Sequence, residues 1–242
     1  MELQGTGTLI TGGGRGLGAA LGRELAGRGA RVVLAARHAA ELQATVDDIR
    51  KAGHEAHALV ADLGDKQGTY PLAGAAAALV GPIDLLIHNA SSLGPTPLPL
   101  LLDTACEDLE AVLAVNVVGP FRLNKVIAGS MALRGRGLVV HITSDASVVP
   151  YPRWGAYGVS KAALDHLGRI WGEELADAGV RFLTIDPGEM DTAMHAAAMP
   201  EADRAGLTPP AVAAARIAAI IRSAGAIPSG ARIEAAAWKE AS

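Results

Sequence analysis

Cysteine is almost absent from this chain: Cys106 is the single one in 242 residues. One thiol excludes an internal disulfide and any thiolate cluster for a metal, and fits a reducing compartment. Aromatic residues are scarce as well, at 3%, so the core must be built from small and branched side chains with close backbone approaches. There is no excess of positive charge: 21 Lys and Arg stand against 25 Asp and Glu, a net charge of −4. With no run of like charges either, a nucleic-acid surface is not expected. No apolar run approaches the roughly 20 residues that span a membrane. Met1 to Gln4 is too short and too polar to be a signal peptide. The chain reads as soluble and cytoplasmic. The scattered histidines show no metal-ligand spacing beyond His54-x-x-His57, which lacks further ligands, so no metal is expected.

What the chain does have is alternation. Short apolar runs, beginning Thr8-Leu9-Ile10, Arg31 to Ala35, Ala58 to Val60 and Ile83 to Ile87, alternate with alanine-rich helical stretches. Leu138 to Ile142, Val180 to Ile185 and Ala231 to Ala235 continue the series. The helical pattern over 105–133 should be bent near Gly119-Pro120. Strands that are apolar throughout need both sheet faces covered. Alternation with helices then predicts a parallel, doubly wound α/β sheet of about seven strands, with helices on both faces. One domain over residues 1–242 is expected, with irregular stretches at 91–99 and about 189–210 at strand ends, where ligands bind. The second is a candidate substrate loop or lid.

Thr11-Gly12-Gly13-Gly14-Arg15-Gly16-Leu17-Gly18 falls between the first strand and the first helix. There a pyrophosphate can sit on bare backbone amides at a helix N-terminus. Gly12, Gly14, Gly16 and Gly18, with Arg15 and Leu17, are the expected cradle. NAD binders place an acid at the end of the second strand. Here the run is Ala35-Ala36-Arg37-His38. Arg15 and Arg37 could pair with a 2′-phosphate, which favours NADPH over NADH.

Tyr157 and Lys161 lie four residues apart on a predicted helix, so phenol and ammonium share a face. A nearby cation should lower the tyrosine pKa from about 10 and make it a proton donor near neutral pH.

In order along the chain, these motifs resemble the short-chain dehydrogenase/reductase family. The glycine turn is Thr11 to Gly18. Asp62 and Leu63 match the adenine contact after the third strand, and His88-Asn89-Ala90-Ser91 is an altered Asn-Asn-Ala-Gly. Asn116, Ser144 and the pair Tyr157 and Lys161 match the catalytic tetrad. Pro187-Gly188 and Thr192, with Met190 between them, match the nicotinamide-side loop. The resemblance implies a Rossmann-type fold and a nicotinamide cofactor. It also implies that Tyr157 gives a proton to a carbonyl oxygen, which Ser144 polarises. Lys161 would tune Tyr157 and bind the ribose, and Asn116 would hold a proton-relaying water. His88 is expected to be a buried, hydrogen-bonded strand residue rather than a catalyst.

The pocket is expected to draw on Ser92, Leu93, Pro95, Thr96, Ser144, Asp145, Val148, Pro150, Trp154, Glu189, Met190, Met194 and Met199, most of them apolar. A hydrophobic ketone, aldehyde or diketone is the expected substrate, with a short echo of the sepiapterin and diketone reductases of the family. An NAD-linked secondary-alcohol dehydrogenase, a 3-ketoacyl thioester reductase and a non-catalytic nicotinamide-binding regulator are the alternatives. The family pairs the helices around 105–133 and 155–178 between subunits, which implies a homodimer or homotetramer.

Overall fold

A computed structural model describes residues 1–239. Seven parallel strands form one sheet in the order β3-β2-β1-β4-β5-β6-β7. They are β1 (Gly7–Thr11), β2 (Arg31–Ala36), β3 (Ala56–Val60), β4 (Leu85–His88), β5 (Gly137–Ile142), β6 (Val180–Asp186) and β7 (Ala231–Glu234). The order reverses between β1 and β4, and the crevice at such a reversal is where doubly wound sheets bind ligands.

Side chains alternate across the sheet, so each strand serves two cores. Ile10, Val32, Leu34, Ile87 and Val140 pack beneath α1 (Gly16–Gly27), α2 (Ala39–Lys51) and α8 (Pro210–Arg222). Leu9, Val33, Leu86, Val139 and Phe182 face the other way. They meet α3 (Lys66–Val80), α5 (Gly119–Leu133) and, through Trp171, α6 (Gly155–Glu174).

The helical stretch over 105–133 departs from its expected form. α4 (Cys106–Leu113) runs into a π-helical turn, Ala114–Val118, and then into α5 without a break. The irregularity therefore lies just before Pro120, whose missing N–H in this continuous helix cannot bond back to the preceding turn. Within the continuous helix Cys106–Leu133 an 18-residue window has a mean hydropathy of 1.3, long and apolar enough to cross a membrane by length and composition. That corrects the expectation that no such run exists. Leu123, Ile127, Ala128 and Met131 pack against α3 and the sheet, while Val118, Phe121, Val126 and Leu133 are exposed.

The stretch 189–210 also holds more order than expected. It contains α7 (Ala193–Ala198), and a bridge between Met190 and Thr208 ties its two ends.

A buried polar row crosses this second core. His88 Nε2 lies 2.8 Å from Asn124 Oδ1, Asn124 Nδ2 lies 3.3 Å from His141 Nε2, and His141 Nδ1 lies 3.3 Å from the Leu164 carbonyl. His88 is thus the hydrogen-bonded strand residue its position suggested.

Candidate active site

A cleft of about 480 Å³ opens along the C-terminal ends of the strands. At one end it is lined by Gly12, Gly14, Arg15, Gly16 and Leu17 from the β1–α1 turn, with Ala36, Arg37 and His38 after β2. Asp62 and Leu63 follow β3, and Asn89, Ala90 and Ser91 follow β4. Further along stand Ser144, Tyr157, Lys161, Pro187, Gly188 and Met190, while Thr192 lies back over the glycine turn, beside Gly16.

The glycine turn is built for close approach. Gly12 has φ +70°, and a Cβ there would sit 2.8 Å from the Ala90 Cα. Asn89 staples this turn from β4, its Nδ2 donating to the carbonyls of Thr11 and Gly12 at 3.0 and 3.1 Å. No side chain caps α1 at Arg15, which leaves its first-turn amides for a ligand. Arg15, Arg37 and His38 are exposed at the mouth, with Arg15 3.7 Å from Glu41. Uncapped amides and bare glycines fit a dinucleotide. Gly18 does not line the cleft. A Cβ there would run into the Gly12 carbonyl oxygen and Asn89 Nδ2, so its part is strand–helix packing.

At the other end, α6 presents Tyr157 and Lys161 one turn apart, both nearly buried. The spacing correctly placed the pair, but its electrostatics differ from the expectation. Burial raises the Tyr157 pKa, and the carboxylates of Asp186 and Asp145 add to the rise. The Ser144 and Ser91 hydroxyls act in the opposite direction without cancelling it. The Lys161 ammonium lies over the Tyr157 ring, Nζ 5.5 Å from its centroid, and its hydrogen bond goes to the Ile142 carbonyl at 2.8 Å. Burial lowers Lys161 to about 8, against the pull of Asp165 and Asp186.

The Ser144 hydroxyl donates to Asp145 Oδ1 at 2.8 Å, and Tyr151 donates to the other oxygen of that carboxylate at 2.8 Å. Asn116 lies within the π-helical turn and is buried behind the cleft. Its amide meets the Ser92 main chain and, at 2.9 Å, Ser160 Oγ, next to Lys161. Ser91 Oγ is enclosed beside the Tyr157 phenol.

Of the expected pocket residues, Ser92, Leu93, Asp145, Trp154, Glu189, Met194 and Met199 line the cleft, whereas Pro95, Thr96, Val148 and Pro150 do not. Tyr151, His195 and Ala198 do line it and were not anticipated. Tyr151 had a signal, a phenol six residues from Asp145 in a Pro-bounded loop. Ala198 had none. Among the described residues, no group of three or more His, Cys, Asp or Glu side chains could hold a metal ion.

Comparison with known proteins agrees with this geometry. A family model described as short chain dehydrogenase matches residues 7–203. An uncharacterised oxidoreductase of Mycobacterium tuberculosis is 38% identical over 186 residues, covering 76% of this chain and 69% of its own. The 7alpha-hydroxysteroid dehydrogenase of Escherichia coli is 31% identical, covering 84% and 79%. Among solved structures, a metagenomic short-chain oxidoreductase in complex with NADP is 29% identical, with a TM-score of 0.81 and 97% of each chain covered. Sheet order, cleft and matched sequence together make this chain a member of the short-chain dehydrogenase family of oxidoreductases.

Proposed function

We propose that the protein is an NADPH-dependent carbonyl reductase. The observation that carries this is a single cleft joining Arg15 and Arg37, with no acid at the end of β2, to Ser144, Tyr157 and Lys161. The amides at the start of α1 would hold the pyrophosphate, and Arg15 and Arg37 the 2′-phosphate. Asp62 and Leu63 would hold the adenine. Asn89, Ala90, Ser91, Pro187, Gly188, Met190 and Thr192 would flank the nicotinamide.

When bound, the reduced nicotinamide supplies the hydride that a carbonyl carbon takes up. The protein's part is at the carbonyl oxygen. Tyr157 carries its proton at neutral pH, as an ordinary phenol does, and is the donor in reach of that oxygen; burial raises its pKa, which keeps the proton available and weakens the acid. Ser144 polarises the same oxygen by hydrogen bonding. Lys161, adjacent in sequence to the Asn116–Ser160 contact, would return a proton to Tyr157.

Leu93, Trp154, Met194 and Met199 form an apolar wall around the substrate end, where Asp145, Asp186 and Glu189 are the acids and Lys161, beside Tyr157, is the one Lys or Arg. A neutral hydrophobic ketone, aldehyde or diketone suits this better than an anionic carrier-bound thioester. The reading includes a homodimer or homotetramer, since Phe121, Val126, Val159 and Ile170 of α5 and α6 are exposed.

The test is fluorescence titration with NADPH and NADH on wild type and Arg37→Ala, beside a turnover screen of hydrophobic ketones and diketones. Tighter NADPH binding that weakens without Arg37, and turnover lost in Tyr157→Phe, are expected. Equal or better NADH binding overturns the cofactor assignment. Tight binding with no turnover overturns the reductase.

A further inference from the structure

Arg232 lies on β7 opposite Thr184 of β6, so its side chain reaches under α6. The side chain is only 14% exposed. Its Nε is 3.3 Å from Asp165 Oδ2, its Nη2 2.8 Å from Asp186 Oδ2, and its Nη1 3.4 Å from Glu234 Oε1. One further contact differs in kind: Nη2 donates to the main-chain carbonyl of Ser144 at 3.2 Å. Ser147 Oγ in turn donates to Asp165 Oδ2 at 2.7 Å. The short turn from Ser144 to Ser147 is therefore held at both ends by one cluster.

Buried charges need partners, and a buried ion cluster is retained at a cost. Asp165 and Asp186 are 4% and 6% exposed. With Lys161 and Arg232 they make two anions and two cations in the interior, while Glu234 stands in solvent and contributes little. Tyr157, Lys161 and Asp165 follow one another at helical spacing on the same face of α6. Both carboxylates favour the charged form of Lys161.

We propose that Arg232 is a positioning residue for proton transfer, clamping the Ser144–Ser147 turn from β7 and balancing the two carboxylates that act on Lys161. Arg232 does not line the cleft, so it acts through Ser144 and Lys161 rather than on substrate. The proposal rests on the reading of Ser144, Tyr157 and Lys161 as the proton-transfer set.

The titratable groups around Lys161 come from every neighbouring element. Asp165 on α6 and Asp186 on β6 favour its charge, Tyr157 on α6 offers its ring, and His88 on β4 and His141 on β5 feel the ammonium and are held neutral. Asp186 in turn feels Arg232 and Asp145. Removing the guanidinium leaves two carboxylates facing one ammonium, so Lys161 should hold its proton to higher pH. Lysine in its place restores the charge without the planar fork that reaches both Asp186 and the Ser144 carbonyl. The two variants therefore separate charge from clamp.

The experiment is NMR titration of protein labelled at lysine Cε with carbon-13, the Lys161 resonance being assigned by its loss in Lys161→Met. In Arg232→Gln the Lys161 midpoint is expected to rise by about one pH unit, and in Arg232→Lys to stay near the wild-type value. Both variants should lose about tenfold in kcat on any ketone the wild type reduces, with KM little changed. An unmoved midpoint in a folded Arg232→Gln overturns the charge role, and an unchanged kcat in Arg232→Lys overturns the clamp. Should Arg232→Gln not fold, Asp165→Asn decides the charge role: its midpoint must fall below wild type, and an unmoved one overturns it. A wild type that titrates as described but reduces no carbonyl sinks the reductase reading, while the titration still decides the role of Arg232.

Discussion

Asn116 holds Ser92 by both of its main-chain polar groups: Oδ1 accepts from the Ser92 N–H at 2.7 Å, and Nδ2 donates to its carbonyl at 2.8 Å. The π-helical turn brings that amide to the loop after β4 and, through Ser160, to the helix of Tyr157 and Lys161. Asn116→Ala would strand two main-chain groups at about 1–3 kcal/mol each. The expected fall in Tm is about 4–24 °C, read from a thermal melt, with turnover reduced in the same variant. An unchanged melt would show that the loop does not depend on this amide.

Gly18 sits where α1 crosses β1, and a Cβ there would meet backbone that cannot swing away. Gly18→Ala should therefore cost about 1–3 kcal/mol by overpacking and weaken dinucleotide binding by displacing Gly12. Gly129, where an added methyl would have nothing within 4 Å, is the control: Gly129→Ala should be neutral or slightly stabilising, as expected within a helix. Urea unfolding of the two variants checks the contrast.

Glu41 stands 3.7 Å from Arg15 and lines the same mouth of the cleft as Arg37. It draws on the charge that a 2′-phosphate would use. Because the pair is exposed, the effect is small, about 0.2–1 kcal/mol. Glu41→Gln should tighten NADPH binding about two- to fivefold at low salt and leave NADH unchanged. Parallel titrations measure both.

Acid should destabilise the fold through its central histidines. Burial lowers His88 from 6.5 to about 4, and His141 well below its ordinary value. Below pH 6.5 the unfolded chain takes up protons that the folded one refuses until about pH 4. Stability is therefore full above that window and falls as pH drops through it. His88 alone should account for about 2 kcal/mol between pH 7 and pH 5. His88→Asn removes that share, so its urea midpoint should change less than the wild-type midpoint between those two pH values.

Strands and glycine turn were legible because each is local: a run of apolar residues, or glycines at fixed spacing, carries its own geometry. The Tyr157–Lys161 pair was legible for the same reason. Its electrostatics were not, because helical spacing cannot show that the ammonium is engaged by Ile142, a residue of another element. The π-helical turn escaped notice because one extra residue per turn barely alters apolar periodicity. Arg232 was invisible as a site residue, since Asp165, Asp186 and Ser144 are 67, 46 and 88 positions away and only sheet order brings them together.

The row from His88 to Leu164 has a direction. A carbonyl can only accept, so in a neutral ring His141 carries its hydrogen on Nδ1 and a lone pair on Nε2. Asn124 must then give its N–H to that lone pair, leaving its oxygen to receive the hydrogen of His88 Nε2. His88 Nδ1 ends the row bare, and it is indeed without a partner. Every hydrogen points from β4 toward α6, so both tautomers and the amide's orientation are set by one backbone oxygen. A side chain of identical outline at 124 but without an N–H, such as aspartate, would fit the space and still break the sequence of donors.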